Sequence, residues 1–141
     1  MNESQPATAI PRTDLAAHDH AMSLPISVVV QELTDLLGAT TVAAIGGVGE
    51  TRAVQQWIGG REPQRAHVLR FALQIATMIA AVGDCELAQA WFHGSNPHLN
   101  DAVPVLLLRN SPLPEVRAKL MAAARAFAGR SKRPDATTLN A

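Results

Sequence analysis

Between Gly38 and Gly60 the chain reads GATTVAAIGGVGETRAVQQWIGG, and the glycines at 46, 47 and 49 constrain its shape more than any other stretch. Three glycines in four positions break a helix and supply the backbone freedom, including positive φ, that a sharp corner needs. Two short helices flanking that corner are therefore expected. The first covers Thr40 to Ile45, where Val42 and Ile45 recur at helical spacing and Ala43 and Ala44 admit a second helix closely. Val48 is the apolar anchor of the turn. The second runs from about Glu50 to Ile58, with Val54, Trp57 and Ile58 forming one seam. Its other face carries Thr51, Arg52, Gln55 and Gln56. Such side chains read nucleic acid: arginine pairs with guanine, glutamine with adenine, threonine with phosphate or a thymine methyl. The stretch reads as a helix-turn-helix facing DNA; a helical hairpin with a solvated outer face is the plainer alternative. Glu50 at the tip opposes phosphate unless it accepts from a cytosine amino group.

With 141 residues, 48% of them hydrophobic, the chain can bury one moderate core. Its formal net charge is zero, yet residues 1–50 hold one basic residue against six acids and residues 51–141 eleven against six, about −5 and +5. The single cysteine, Cys85, excludes an internal disulfide and fits a reducing compartment. No apolar run reaches the length of a membrane span, and the start lacks a charged-then-apolar signal pattern, so a soluble, cytoplasmic protein is expected, with no membrane partner.

Residues 1–23 mix Pro, Ser, Thr, Asn and acids without sustained periodicity and read as a flexible arm, in which His18 and His20 are solvated rather than metal-binding. A helix follows over Ile26–Leu37, capped by Ser23 or Ser27 and stopped by Gly38, with Val29, Val30, Leu33, Leu36 and Leu37 on one stripe. The most hydrophobic helix spans about Ala66 to Val82, and its second apolar stripe belongs either to the core or to an interface between copies. Arg61, Arg65, His67 and Arg70 at its start either hold phosphates beside the reading helix or form a solvated basic end. Asp84 caps a further helix, CELAQAWF, in which Cys85 lacks a basic or histidine partner in the local sequence and reads as a small semi-buried thiol rather than a nucleophile. After it, Pro97 bars Asn96 from helical geometry, Leu99 is an apolar plug, and Pro104 starts a short helix that returns Leu106, Leu107 and Leu108 to the core.

The order Trp91, Phe92, Asn96, Pro97, Leu99, Pro104, Leu107, Leu108 resembles the toxin-binding domain of the Xre/MbcA/ParS antitoxin family, and VAAIGGVGETRAVQQWIGG resembles that family's helix-turn-helix. Together the resemblance covers roughly residues 25–127. That family usually has a glycine between the leucine and the proline, where this chain has Asn100, Asp101 and Ala102; asparagine tolerates left-handed geometry. The resemblance implies an antitoxin of a type II toxin-antitoxin module. It would bind and inhibit a cognate RES-domain toxin that degrades NAD, and repress its own operon through operator DNA. A homodimer, or a larger hetero-oligomer with the toxin, is expected. A stand-alone transcriptional regulator and a toxin-binding protein with a vestigial DNA motif are the competing readings.

A last helix is expected over Glu115–Phe127, and from Arg117 to Arg133 there are six basic residues and no acid. That charge suits DNA backbone, a partner's acidic cleft, or simply a solvated tail. Trp91, Phe92, Asn96, Pro97, Leu99 and Pro104 are the expected toxin-facing platform, with Arg125, Arg130, Lys132 and Arg133 pairing to acids on the toxin's rim. A chain ended near Pro112 is expected to keep its DNA-reading region and to lose protection against the toxin. No phosphate-binding loop, metal-ligand set or serine elbow is present, so no enzymatic activity and no cofactor are expected. The expected fold is all-α: a flexible arm (1–23), a DNA-binding region (24–64), a toxin-binding and oligomerisation region (65–128) and a flexible tail (129–141).

Overall fold

The computed structural model describes residues 14–131, with side chains described for residues 15–129. Among them run eight α-helices: α1 (Asp14–Ser23), α2 (Ile26–Leu37), α3 (Ala39–Ile45), α4 (Thr51–Ile58), α5 (Ala66–Val82), α6 (Cys85–His93), α7 (Pro104–Asn110) and α8 (Leu113–Ser131). A single 3-10 turn, Pro97–Leu99, lies between α6 and α7. The fold is all-α, and the described residues contain no strand beyond one isolated bridge between Asn96 and Ala102.

Helix α5 is the axis of the bundle. From Val68 to Ile79 every residue except the half-buried Arg70 is buried, because α1, α2, α6 and α8 all pack on it. Its second apolar stripe is thereby core within one chain. One continuous hydrophobic cluster runs from Ala17 to Ala124, including Leu33, Ile45, Leu69, Ile75, Phe92 and Leu120. None of the described helices is long and apolar enough to cross a membrane.

Residues 14–23, expected to lie in a flexible arm, instead form α1. Ala17 and Ala21, four apart, are buried against α5, and alanine's high helix propensity suits a segment that offers no larger apolar stripe. Its histidines are not simply solvated: His20 Nε2 lies 2.8 Å from Glu32 Oε1 on α2, and His18 Nδ1 lies 3.4 Å from Gln74 Oε1 on α5. Neither expected serine cap of α2 forms. Pro25 precedes the helix, and its carbonyl accepts from Val28 and Val29 N–H, both at 3.0 Å. Leu106 also departs from expectation, being 50% exposed while Leu108 is buried.

In the corner between α3 and α4 the glycines act in different ways. Gly47 has φ 84 and requires a residue free to enter that region. Gly46 is right-handed, at φ −75, and its role is space: a Cβ there would lie 2.5 Å from Trp57 Cη2 and 2.8 Å from Cζ3. The Trp57 ring is only 5% exposed and cannot swing aside. Gly46→Ala is therefore expected to cost about 1–3 kcal/mol by overpacking. Gly49→Ala, whose Cβ would meet nothing within 4 Å, serves as its control and leaves the denaturation midpoint essentially unmoved.

Candidate functional site

Two surfaces carry the side chains singled out in the sequence. On α4, Val54 and Trp57 are buried against α2 and α3, which turns Thr51, Arg52, Gln55 and Gln56 outward, all four exposed. Gln56 Oε1 accepts from Arg61 Nη1 at 2.7 Å, so a cation is held beside the last of the four. Thr51 also borders an open groove shared with Thr40 and Glu50 and floored by Val48 and Arg109.

The basic residues ahead of α5 are mostly committed inside the fold rather than free for phosphate. Arg65 Nη1 donates to the carbonyls of Ile45 and Arg109, both at 3.2 Å, and Nη2 to that of Leu108 at 2.7 Å. Arg109 in turn donates from Nη1 to the carbonyls of Ala44 and Val48, both at 3.1 Å. Arg70 Nη1 donates to the Ala21 and Leu24 carbonyls at 2.9 and 2.7 Å. All three guanidinium groups sit at helix C-termini, where the last carbonyls lack intrahelical donors and the helix dipole favours a cation. His67 remains exposed, as does Arg61 apart from its bond to Gln56.

The second surface begins at the end of α6. Asp84 caps that helix as expected, its side chain accepting from Leu87 N–H at 2.9 Å. Trp91 and Phe92 meet edge to face, with ring centroids 5.2 Å apart and planes at 75°. The loop that follows folds on Asn96: its Oδ1 accepts from His98 N–H at 2.8 Å, its N–H donates to the Ala102 carbonyl at 3.0 Å, and its carbonyl accepts from Asp101 N–H at 2.8 Å. The left-handed geometry expected of Asn100 is present, at φ 56, and extends to Asp101, at φ 67. This closure drives Leu99, 4% exposed, into the core as a plug.

The residues expected from the sequence to form a toxin-facing platform separate into two groups. Phe92, Leu99 and Pro104 are buried and reach no surface, so they can only brace what lies above them. Trp91, Asn96 and Pro97 line a common cleft of about 210 Å³, closed on its far side by Ala123 and Phe127 of α8. Those two α8 residues carry no sequence signal distinguishing them from core, since an i, i+4 apolar pair reads as core whatever it faces. Arg125 does not share the cleft: it is exposed and borders a notch with Leu15, His18 and Gln74. The Arg130 side chain, Lys132 and Arg133 lie outside the described residues.

One atom in this region stands apart. Trp91 Nε1 is the buried side-chain nitrogen that finds no hydrogen-bond partner among the described residues. Leaving a buried donor unsatisfied costs about 1–3 kcal/mol, and native proteins contain few of them.

No protein-family model matches the chain, and no curated protein or solved structure matches it.

Proposed function

We propose that this chain is a non-enzymatic antitoxin that binds and inhibits a RES-domain, NAD-degrading toxin and represses its own operon by reading operator DNA with α4. The observation that carries the reading is that a single core presents both required surfaces on different elements: the exposed face of Thr51, Arg52, Gln55 and Gln56, and the cleft at Trp91, Asn96 and Pro97. The order of residues from Trp91 to Leu108, described above as resembling the Xre/MbcA/ParS antitoxins, supports the partner's identity.

A RES toxin must hold the anionic pyrophosphate of NAD, so its cleft offers cationic and dipolar groups. A basic segment is therefore not drawn into the phosphate site itself. In this proposal the Trp91–Leu108 segment docks beside the toxin's mouth, with Phe92 and Leu99 bracing it from below. The end of α8 covers the mouth and excludes NAD sterically, while Arg125, Arg130, Lys132 and Arg133 pair with acids on the rim. The working form is cytoplasmic and is a homodimer or a hetero-oligomer with the toxin.

The test is co-expression with the RES-type toxin encoded beside it, reading growth and cellular NAD, together with mobility shifts on the operon's promoter. Arg52→Ala and Gln55→Ala are each expected to weaken specific DNA binding by about 1–3 kcal/mol and to leave protection intact. DNA binding without protection would establish the stand-alone regulator instead. Protection with mobility shifts identical in both variants and in the parent would mark α4 as not reading DNA.

A further inference from the structure

We infer that the cleft beside Trp91 is the seat of an acidic side chain supplied by a partner protein. It rests on the reading that this half of the chain docks a partner, and it names the chemistry of the contact. Trp91 Nε1 is a donor only, is buried, and has no acceptor among the described residues. Asn96, 8% exposed, lines the same cleft: its Oδ1 is taken by His98 N–H, which leaves the amide nitrogen as a second donor. Ser95 and His98 complete the polar wall, and Ala123 and Phe127 form the apolar one.

None of the described residues lining the cleft is acidic. Its volume, about 210 Å³, falls below the roughly 300–1,000 Å³ of small-molecule and cofactor pockets and suits a single side chain. A carboxylate brings acceptors alone and can give one oxygen to each nitrogen donor, whereas a side-chain amide also brings an N–H₂ that faces these same donors. A tryptophan whose N–H lacks a partner in the free protein gains one on binding.

The two tryptophans of the full chain, Trp57 and Trp91, give two separate indole N–H resonances in a ¹⁵N-labelled sample. The probes are blocked pentapeptides with identical leucine and alanine flanks and aspartate, asparagine or lysine at the centre. The aspartate peptide is expected to move the Trp91 indole proton downfield saturably and to leave that of Trp57 in place. The asparagine peptide should bind about tenfold more weakly, and the lysine peptide should not register. Asn96→Asp keeps the oxygen that accepts from His98 N–H and places a like charge in the cleft, so it should fold and lose the aspartate peptide by about tenfold or more. Should that variant lack a thermal transition, Trp91→Phe, which removes the donor and keeps an aromatic ring, must abolish the aspartate preference. Equal response to all three peptides, no response to any, or an unchanged preference in the folded variant would overturn the inference. Because protection of cells is not read here, failure of this inference would leave the antitoxin reading standing.

Discussion

Ending the chain at Pro112 is expected to abolish the cooperative unfolding transition, and the proposed DNA binding with it, rather than remove the proposed toxin-binding function from an intact DNA-reading domain. Helix α8 buries Leu113, Val116, Leu120, Ala123 and Ala124 against the bundle, and its contacts reach α5, α7 and the 3-10 turn. Its Arg117 guanidinium also lies 4.8 Å above the centre of the Phe71 ring on α5. Burying each of the three larger side chains contributes roughly 1.5–3 kcal/mol, and the α5 surface beneath them would be exposed in turn. That loss is comparable with the whole stability of a domain, about 5–15 kcal/mol. A truncation at Pro112 therefore cannot separate the two proposed functions, contrary to what the sequence suggests. A chain ended at Gly129 keeps Leu113, Val116, Leu120, Ala123 and Ala124 and removes Arg130, Lys132 and Arg133. It should retain a transition within about 0.5 kcal/mol of the full chain. Thermal melts followed by circular dichroism distinguish the two outcomes, and a cooperative melt from the Pro112 truncation would show that the first seven helices fold without the eighth.

The elements legible in the sequence were those whose apolar residues are large and periodic. The bounds of α2 and α5 follow from their stripes and from the glycines at 38 and 83, and the Asp84 cap from its place ahead of an apolar run. Helix α1 was illegible for the converse reason: only two alanines carry it onto α5, and Leu15 and Met22, its bulky apolar residues, are exposed. Charge was harder still to read. Nothing in the local sequence GREPQR distinguishes an arginine bound for phosphate from one bound for a carbonyl; the acceptors of Arg65 come from Ile45, Leu108 and Arg109, up to 44 residues away. The candidate site was legible only in part. Trp91, Asn96 and Pro97 were marked by the resemblance, yet their partition from Phe92, Leu99 and Pro104 depends on how Asn96 closes the loop, and the cleft on where α8 crosses it.

Replacing Arg65 and Arg109 together by methionine is expected to cost about 4 kcal/mol, with each single change costing about 2–3 kcal/mol. The two arginines make five hydrogen bonds to backbone carbonyls. Those carbonyls belong to the ends of α3 and α7 and to the turn leading into α4. Helices as short as α3 and α7, seven residues each, satisfy few of their own carbonyls. Methionine keeps much of the apolar stem and removes both the donors and the charge, so the measured loss reports the guanidinium contacts more than packing. Lysine at position 65 retains the charge without the fork that spans two helix ends, and should recover less than half of the loss. Denaturant midpoints read this directly. The same contacts fix where α4 points, because Arg109 grips the carbonyl of Val48 inside the turn and Arg65 joins α7 to the end of α3. A folded Arg109→Met variant should therefore bind operator DNA less well although the face of Thr51, Arg52, Gln55 and Gln56 is untouched. Unchanged stability in the double variant would mean that water satisfies those carbonyls equally well and that the arginines do not fasten the two halves together.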